Sequence, residues 1–426
     1  MALEIPHPRV SDDKQTQNLD RLKVWANDIQ GTVNNLGDFN VRDFGANGEG
    51  GDDTAAIQKA MDAANDAGGG TVTFPPGVYG VTAAAIIGDS VHVRGLGMES
   101  KVRCLGNNFA FAFDPGNYAS ISRLFIDAAS PQSSGGGIDW RVAGFRISVD
   151  HIMFSSNLHT SMEMRCSQQS GIWQITDIQW DGGSDRQYGF RIGDGTNLVT
   201  DISIKGVIGS GYGQTETWFD VQNNVDTLKC VDVTFYGGAA GMILGRVASG
   251  AVTGMQLTNL LMDFMEGVGI YLVKTRGATI VGCDVQTCQA GIWLAGSCQG
   301  TVITGGVIQG NAQSGIVIFT GAVHTSINTV QIADNNSLFD PDTDTFVDGG
   351  GNVGIDIGAG AEYFRVSNCT IGNYLLGRGY QKYGIRIADG ASNHYQISSN
   401  QFLGNDIGAV YDGGTGTDKW ILGNLG

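Results

Sequence analysis

From residue 137 onward the chain repeats one four-residue pattern: a small residue, an apolar one, a variable one and a second apolar one. It reads GIDW at 137, SMEM at 161, GFRI at 189, WFDV at 218 and GMIL at 241. It continues as GIYL at 269, GIWL at 291, GIVI at 315, GIDI at 354, GIRI at 384 and GAVY at 408. Alternation with period two marks a strand that buries one face. The units recur every 22 to 30 residues, with one interval of 39. Such a period predicts an all-β solenoid, a right-handed single-stranded parallel β-helix of about a dozen coils on one continuous core. Earlier coils are expected within 81–136, in poorer register.

Each unit carries a second recurrent position: Asp150, Asp177, Asp201, Asp232, Asn259, Gly282, Gly305, Asn328, Asn368 and Asn400. These residue types tolerate the left-handed backbone of a tight turn and bond to nearby backbone groups. The position reads as a turn ladder, so its aspartates, including Asp150 beside His151, are set apart from the catalytic candidates. Glycine, at 66 residues, is abundant without a collagen period, as many tight turns require.

Two N-terminal segments differ from the repeats. Leu19, Leu22, Ala26, Ile29, Val33 and Leu36 alternate spacings of three and four, the seam of a short coiled coil. Ser11 or Asp12 suits its N-cap. Three heptads are marginal alone, so a docking or trimerising arm over 1–38 is expected, with a helix packed on its own domain as the alternative. Residues 39–80 then give cap residues Asp52 to Thr54, an amphipathic helix with Ile57, Ala60, Met61 and Ala64 on one face, a stop at Gly68 to Gly70, and a strand ending in Pro75-Pro76-Gly77. Covering the first coil is a physical need of any solenoid, which would otherwise open its core to water. The predicted organisation is therefore an arm over 1–38, a cap over 39–80 and the β-helix over 81–426.

The runs DFGA at 43, DDTAAIQKA at 52 and GGGTVTFPPGVYG at 68 resemble the N-terminal cap of pectin-lyase-fold proteins. That cap is found in polysaccharide-degrading enzymes and in bacteriophage tailspikes. Residues 1–38 resemble the docking segment of phage tail proteins. The resemblance implies a tail spike or fibre protein of the virion, made in the host cytoplasm. Such a protein would be a homotrimer that meets other tail or baseplate proteins through 1–38 and binds a host surface polysaccharide. It equally implies a polysaccharide depolymerase, hydrolase or lyase, on the same scaffold. The polygalacturonase motifs NTD, GHG and RIK are absent, which sets a secreted pectinolytic enzyme in third place.

Composition narrows the partners. A net charge of −17 and a pI of about 4.6 repel phosphate backbones and anionic headgroups, so neither nucleic acid nor membrane insertion is expected. The opening MALEIPHPRV holds no apolar run of the length a secretion signal needs. Seven cysteines without CxxC spacing read as buried thiols from a reducing compartment.

Candidate chemistry falls on the variable position, whose side chain points away from the core: Asp139, Glu163, Arg191, Asp220, Ile243, Tyr271, Trp293, Val317, Asp356, Arg386 and Val410. Asp139 and Glu163 are one coil apart, about 4.8 Å, near the carboxylate spacing of retaining glycosidases. Glu163 and Asp220 are two coils apart, near the inverting spacing, with Arg191 between them as a modulator of their charge. An exposed ionic ladder without catalysis is the plain alternative. Ile243, Tyr271, Trp293 and Val317 form an exposed apolar strip, expected to be a subunit interface or a sugar platform. In the long interval, Asp340, Asp342, Asp344 and Asp348 have spacing that suits calcium, although the glycine and glutamate of an EF-hand loop are missing. No other cofactor is expected.

Overall fold

The computed structural model describes residues 37–426, except 141, 143, 167–169, 183–186, 212–216, 223, 247–249, 341–344, 349–352 and 376–379. The heptad arm and its N-cap lie outside the described residues. The chain is an all-β parallel solenoid of about thirteen turns. One face is a thirteen-stranded sheet running in chain order from Ala85–Ile87 to Gly408–Gly414, each strand parallel to the next. Two further ladders close the coil. Between Ser120–Ala128 and Gln256–Asp263 they merge into single long strands. Beyond them each long strand splits into short pairs such as Thr279–Val281 and Asp284–Gln286.

The repeat maps onto the thirteen-stranded face in register. Its first apolar position stacks as Phe111, Ile138, Met162, Phe190, Phe219, Met242 and Ile270, and the isoleucine series continues through Ile385. These side chains are buried in one core, with Phe190 stacked on Phe219 at 4.6 Å between ring centroids. All seven cysteines are buried thiols outside any disulfide. Burial pushes the Cys104 thiol up to about 12 and that of Cys283 to about 11, so both remain protonated at neutral pH. The helix Thr54–Asp66 buries Ile57, Ala60, Met61 and Ala64, and its Gln58 donates to and accepts from the backbone of Ile86.

The small first residue of the repeat follows from the closeness of the coils. A Cβ on Gly241 would stand 2.3 Å from the Gly269 carbonyl oxygen, and one on Gly291 would stand 2.1 Å from that of Gly315. Trp218 is the exception. Its indole stacks on Phe235 at 4.4 Å and fills the space that Gly209 leaves open.

The turn ladder is corrected in part. Asp177, Asp232, Asn259, Gly282, Gly305 and Asn368 do occupy left-handed corners. The corner in the first of these coils is His151 rather than Asp150, and Thr329 and Ser399 replace Asn328 and Asn400. Asp201 belongs to a second left-handed column with Arg146, Ile172 and Thr227. Asn400 is instead buried, donating to the Val366 carbonyl and to Asn424. Asn311 and Asn335 make the same kind of interior rung, in which each amide donates to a backbone carbonyl. A buried amide is tolerated here because its polar groups find partners.

Replacing Gly291 with Ala forces a side chain onto backbone and is expected to cost about 1–3 kcal/mol. Gly51→Ala, with nothing within 4 Å of the added carbon, is the control and should change stability by less than about 0.5 kcal/mol. Urea unfolding of both variants checks this, and equal midpoints would contradict it.

Candidate functional site

The variable position forms an unbroken column along the thirteen-stranded face. Asp139 pairs in register with Glu163, Glu163 with Arg191, Arg191 with Asp220, and Asp220 with Ile243. Tyr271, Trp293, Val317, Asp356 and Arg386 follow in order. At the last strand the expected residue is corrected: Tyr411, not Val410, lies beside Arg386.

The column is not the exposed ladder expected from alternation. Asp139 is 3% exposed, Glu163 4% and Asp220 1%. On this part of the face, outward from the core is therefore not outward to solvent. Asp139, Glu163 and Arg191 come together around a cavity of about 590 Å³, which Asn108, Phe109, His159 and Arg165 also line. Asp220 lies one strand beyond Arg191 and does not line the cavity.

The buried carboxylates are compensated in a definite order. Arg165 donates to one Glu163 oxygen at 2.7 Å, and Arg191 donates to the other at 3.1 Å. Arg191 also reaches toward Asp220, with its Nε 3.6 Å from that carboxylate. Asp220 accepts from Gln222 at 2.8 Å and from Arg246 at 3.4 Å. Burial nevertheless pushes the Asp220 carboxyl above its ordinary range, against the opposing pull of Arg246 and Arg191. Arg191 thus bridges two acids, as its place between them in the repeat suggested.

Sequence reasoning missed Arg165, Gln222, His159 and Arg246. The first two were within reach of it. Arg165 follows Glu163 by two residues and Gln222 follows Asp220 by two, the spacing that puts strand side chains on one face. His159 precedes the strand Thr160–Met164, in connecting chain without a period to read.

The apolar strip is corrected from exposed to half-buried. Tyr271 meets Trp293 edge-on at 5.8 Å, and Trp293 meets the exposed Phe319 edge-on at 5.4 Å. In the acidic loop, Asp340 and Asp348 lie on the antiparallel pair Ser337–Asp340 and Thr345–Asp348, opposite Thr345 and Ser337 respectively. Asp342 and Asp344 fall outside the described residues, as do the side chains of Asp340 and Asp348.

The fold has recognisable relatives. A family described as "Right handed beta helix region" matches residues 166–371 and 254–425, and the chain belongs to it. The family "Rhamnogalacturonase A/epimerase, pectate lyase-like" matches residues 39–231. The mannuronan C5-epimerase AlgE6 of Azotobacter vinelandii is 51% identical over 73 residues, 15% of this chain and 8% of that protein. The chain thus spans less than a tenth of that relative's length. Among solved structures, tailspike protein 3 of bacteriophage CBA120 superposes with a TM-score of 0.60 at 15% identity, covering 92% of this chain and 62% of that one. A tailspike mutant of E. coli bacteriophage HK620, in complex with a hexasaccharide, gives a TM-score of 0.60 at 13% identity, covering 89% and 79%. At such identities the likeness is one of fold.

A carboxyl group held above its unfolded range binds its proton more tightly in the folded state. Its stabilising contribution is then full at acidic pH and is lost as pH rises from the unfolded value, about 3.9, through the native one. Asp220→Asn should therefore lose less stability than the unmodified protein between about pH 4 and about pH 7. Thermal melts across that range measure it, and parallel curves would refute it.

Proposed function

We propose that this chain is a tail spike or tail fibre type protein of a phage virion, a homotrimer that binds a host surface polysaccharide along the thirteen-stranded face. Other tail proteins would meet it through residues 1–38. The observation that carries the glycan reading is the single column from the acid-lined cavity to the aromatic rungs Tyr271 and Trp293. Carboxylates and arginines suit hydroxyl groups, and aromatic faces and edges suit the apolar faces of sugar rings. With about 4.8 Å between rungs, the run from Glu163 to Trp293 extends about 24 Å, room for several residues of an extended glycan. Fold likeness to two tailspikes, one of them seen with a hexasaccharide, supports this reading. The half-buried strip Ile243, Tyr271, Trp293 and Val317 serves as sugar platform in one arrangement and as part of the subunit interface in the other.

The cavity favours a second reading, in which the glycan is also cleaved. Asp139 and Glu163 stand on neighbouring strands, near the separation of about 5 Å used in double-displacement glycoside hydrolysis. Glu163, held by two guanidinium groups, suits the role of carboxylate base or nucleophile, and Asp139 that of proton donor. Asp220, outside the cavity, would support Arg191 and not touch the substrate.

Glu163→Gln and Asp139→Asn are each expected to lower release of reducing ends from a susceptible polysaccharide by about 100-fold or more. The panel is purified bacterial surface polysaccharides and mannuronan. Undiminished cleavage by both variants would remove the catalytic assignment. Light scattering should give the mass of three chains, and the mass of one chain would overturn the homotrimer.

A further inference from the structure

A second cluster of titratable groups lies away from the thirteen-stranded face, at the corner where the two other ladders meet. In a regular strand Asp150 and His151 would project to opposite faces. His151 has a left-handed backbone, φ 51°, and this turns the chain so that both side chains gather on the outside of the corner. Asp177 occupies the same corner one coil on. Ligand atoms of the three residues lie within 4.8 Å of one another.

The imidazole faces a carboxylate at each nitrogen. Its Nδ1 is 2.6 Å from an Asp150 oxygen, and Thr176 donates to the other oxygen of that carboxylate. Its Nε2 is 3.4 Å from an Asp177 oxygen. A neutral imidazole has one N–H to give. The short contact claims it for Asp150, which leaves the Nε2 lone pair facing a carboxylate. The 3.4 Å gap exceeds the roughly 2.7–2.9 Å of a charge-assisted hydrogen bond. It matches the edge of a tetrahedron, about 3.3 Å, spanned by nitrogen and oxygen ligands each about 2.0–2.1 Å from a zinc ion. A carboxylate on Nδ1–H, itself hydrogen-bonded from behind, is the arrangement that orients metal-binding histidines.

The cluster opens onto a groove of about 680 Å³, which Gln179, Asp232 and Asn259 also line. We propose that His151 Nε2 and Asp177 bind a divalent transition-metal cation of the zinc type, with Asp150 and Thr176 orienting the imidazole. The remaining coordination positions face water or an oxygen ligand in the groove. An imidazole paired with a carboxylate selects such a cation over calcium, which takes all-oxygen sites.

The test is calorimetric titration of zinc chloride into the chelator-treated full chain. One equivalent is expected to bind saturably, and zinc should raise the melting temperature. Buried cysteines do not compete for the ion in the folded protein. His151→Asn keeps a residue suited to the left-handed corner and should weaken binding about tenfold or more, as should Asp177→Asn. His394→Asn, at the exposed pair with Asp418, should leave it unchanged. Calcium should bind these two residues no better in the unmodified chain than in His151→Asn. Absence of zinc binding, or zinc binding that survives both His151→Asn and Asp177→Asn, would overturn the proposal.

Discussion

Each strand of the solenoid's stacked sheets finds its hydrogen-bond partners one coil away, about 4.8 Å along the axis and in parallel. This constraint places like positions over like positions, so a residue's neighbours are set by its phase in the repeat and not by its distance in sequence. The core follows directly, since Phe190 meets Phe219 and Ile292 meets Ile316. The glycines at the head of the repeat follow as well, because two backbones that close leave no room for a side chain between them.

The same stacking makes the candidate site electrostatically unusual. Charges on consecutive rungs are forced together, and here they alternate only in part: acid, acid, arginine, acid. Arg191 is shared by two carboxylates, while Arg165, Gln222 and Arg246 approach from the margins. Burial raises the importance of every such contact, since an uncompensated buried charge is costly. The charged column therefore depends on side chains at the edge of the sheet as well as on its own rungs.

Period and phase were legible in the sequence, and with them the solenoid and the column from Asp139 to Arg386. Burial was not. Alternation tells which side of a strand a residue takes and not whether that side meets water, and Asp139, Glu163 and Asp220 are buried although they point away from the core. Errors of one residue arose where local pattern and coil register disagree. In GAVY the alternation suggests Val410, whereas pairing with Ile385 turns Val410 toward the core and gives its place to Tyr411. At the corners, Asp150 and Asn400 look as suitable as their neighbours, and only pairing shows that His151 and Ser399 make the turn. Asn400 met the demand of an interior amide rung, which residue type alone does not separate from a turn.

The long interval between Val317 and Asp356 holds an antiparallel hairpin, yet these two residues still pair as adjacent rungs. Length added between strands is expelled sideways and leaves no trace in the stack. Each coil is thus an independent insertion point, where a lineage can lengthen, shorten or exchange surface chain without renegotiating the core. Chains built this way can differ in most of their sequence and still share one shape.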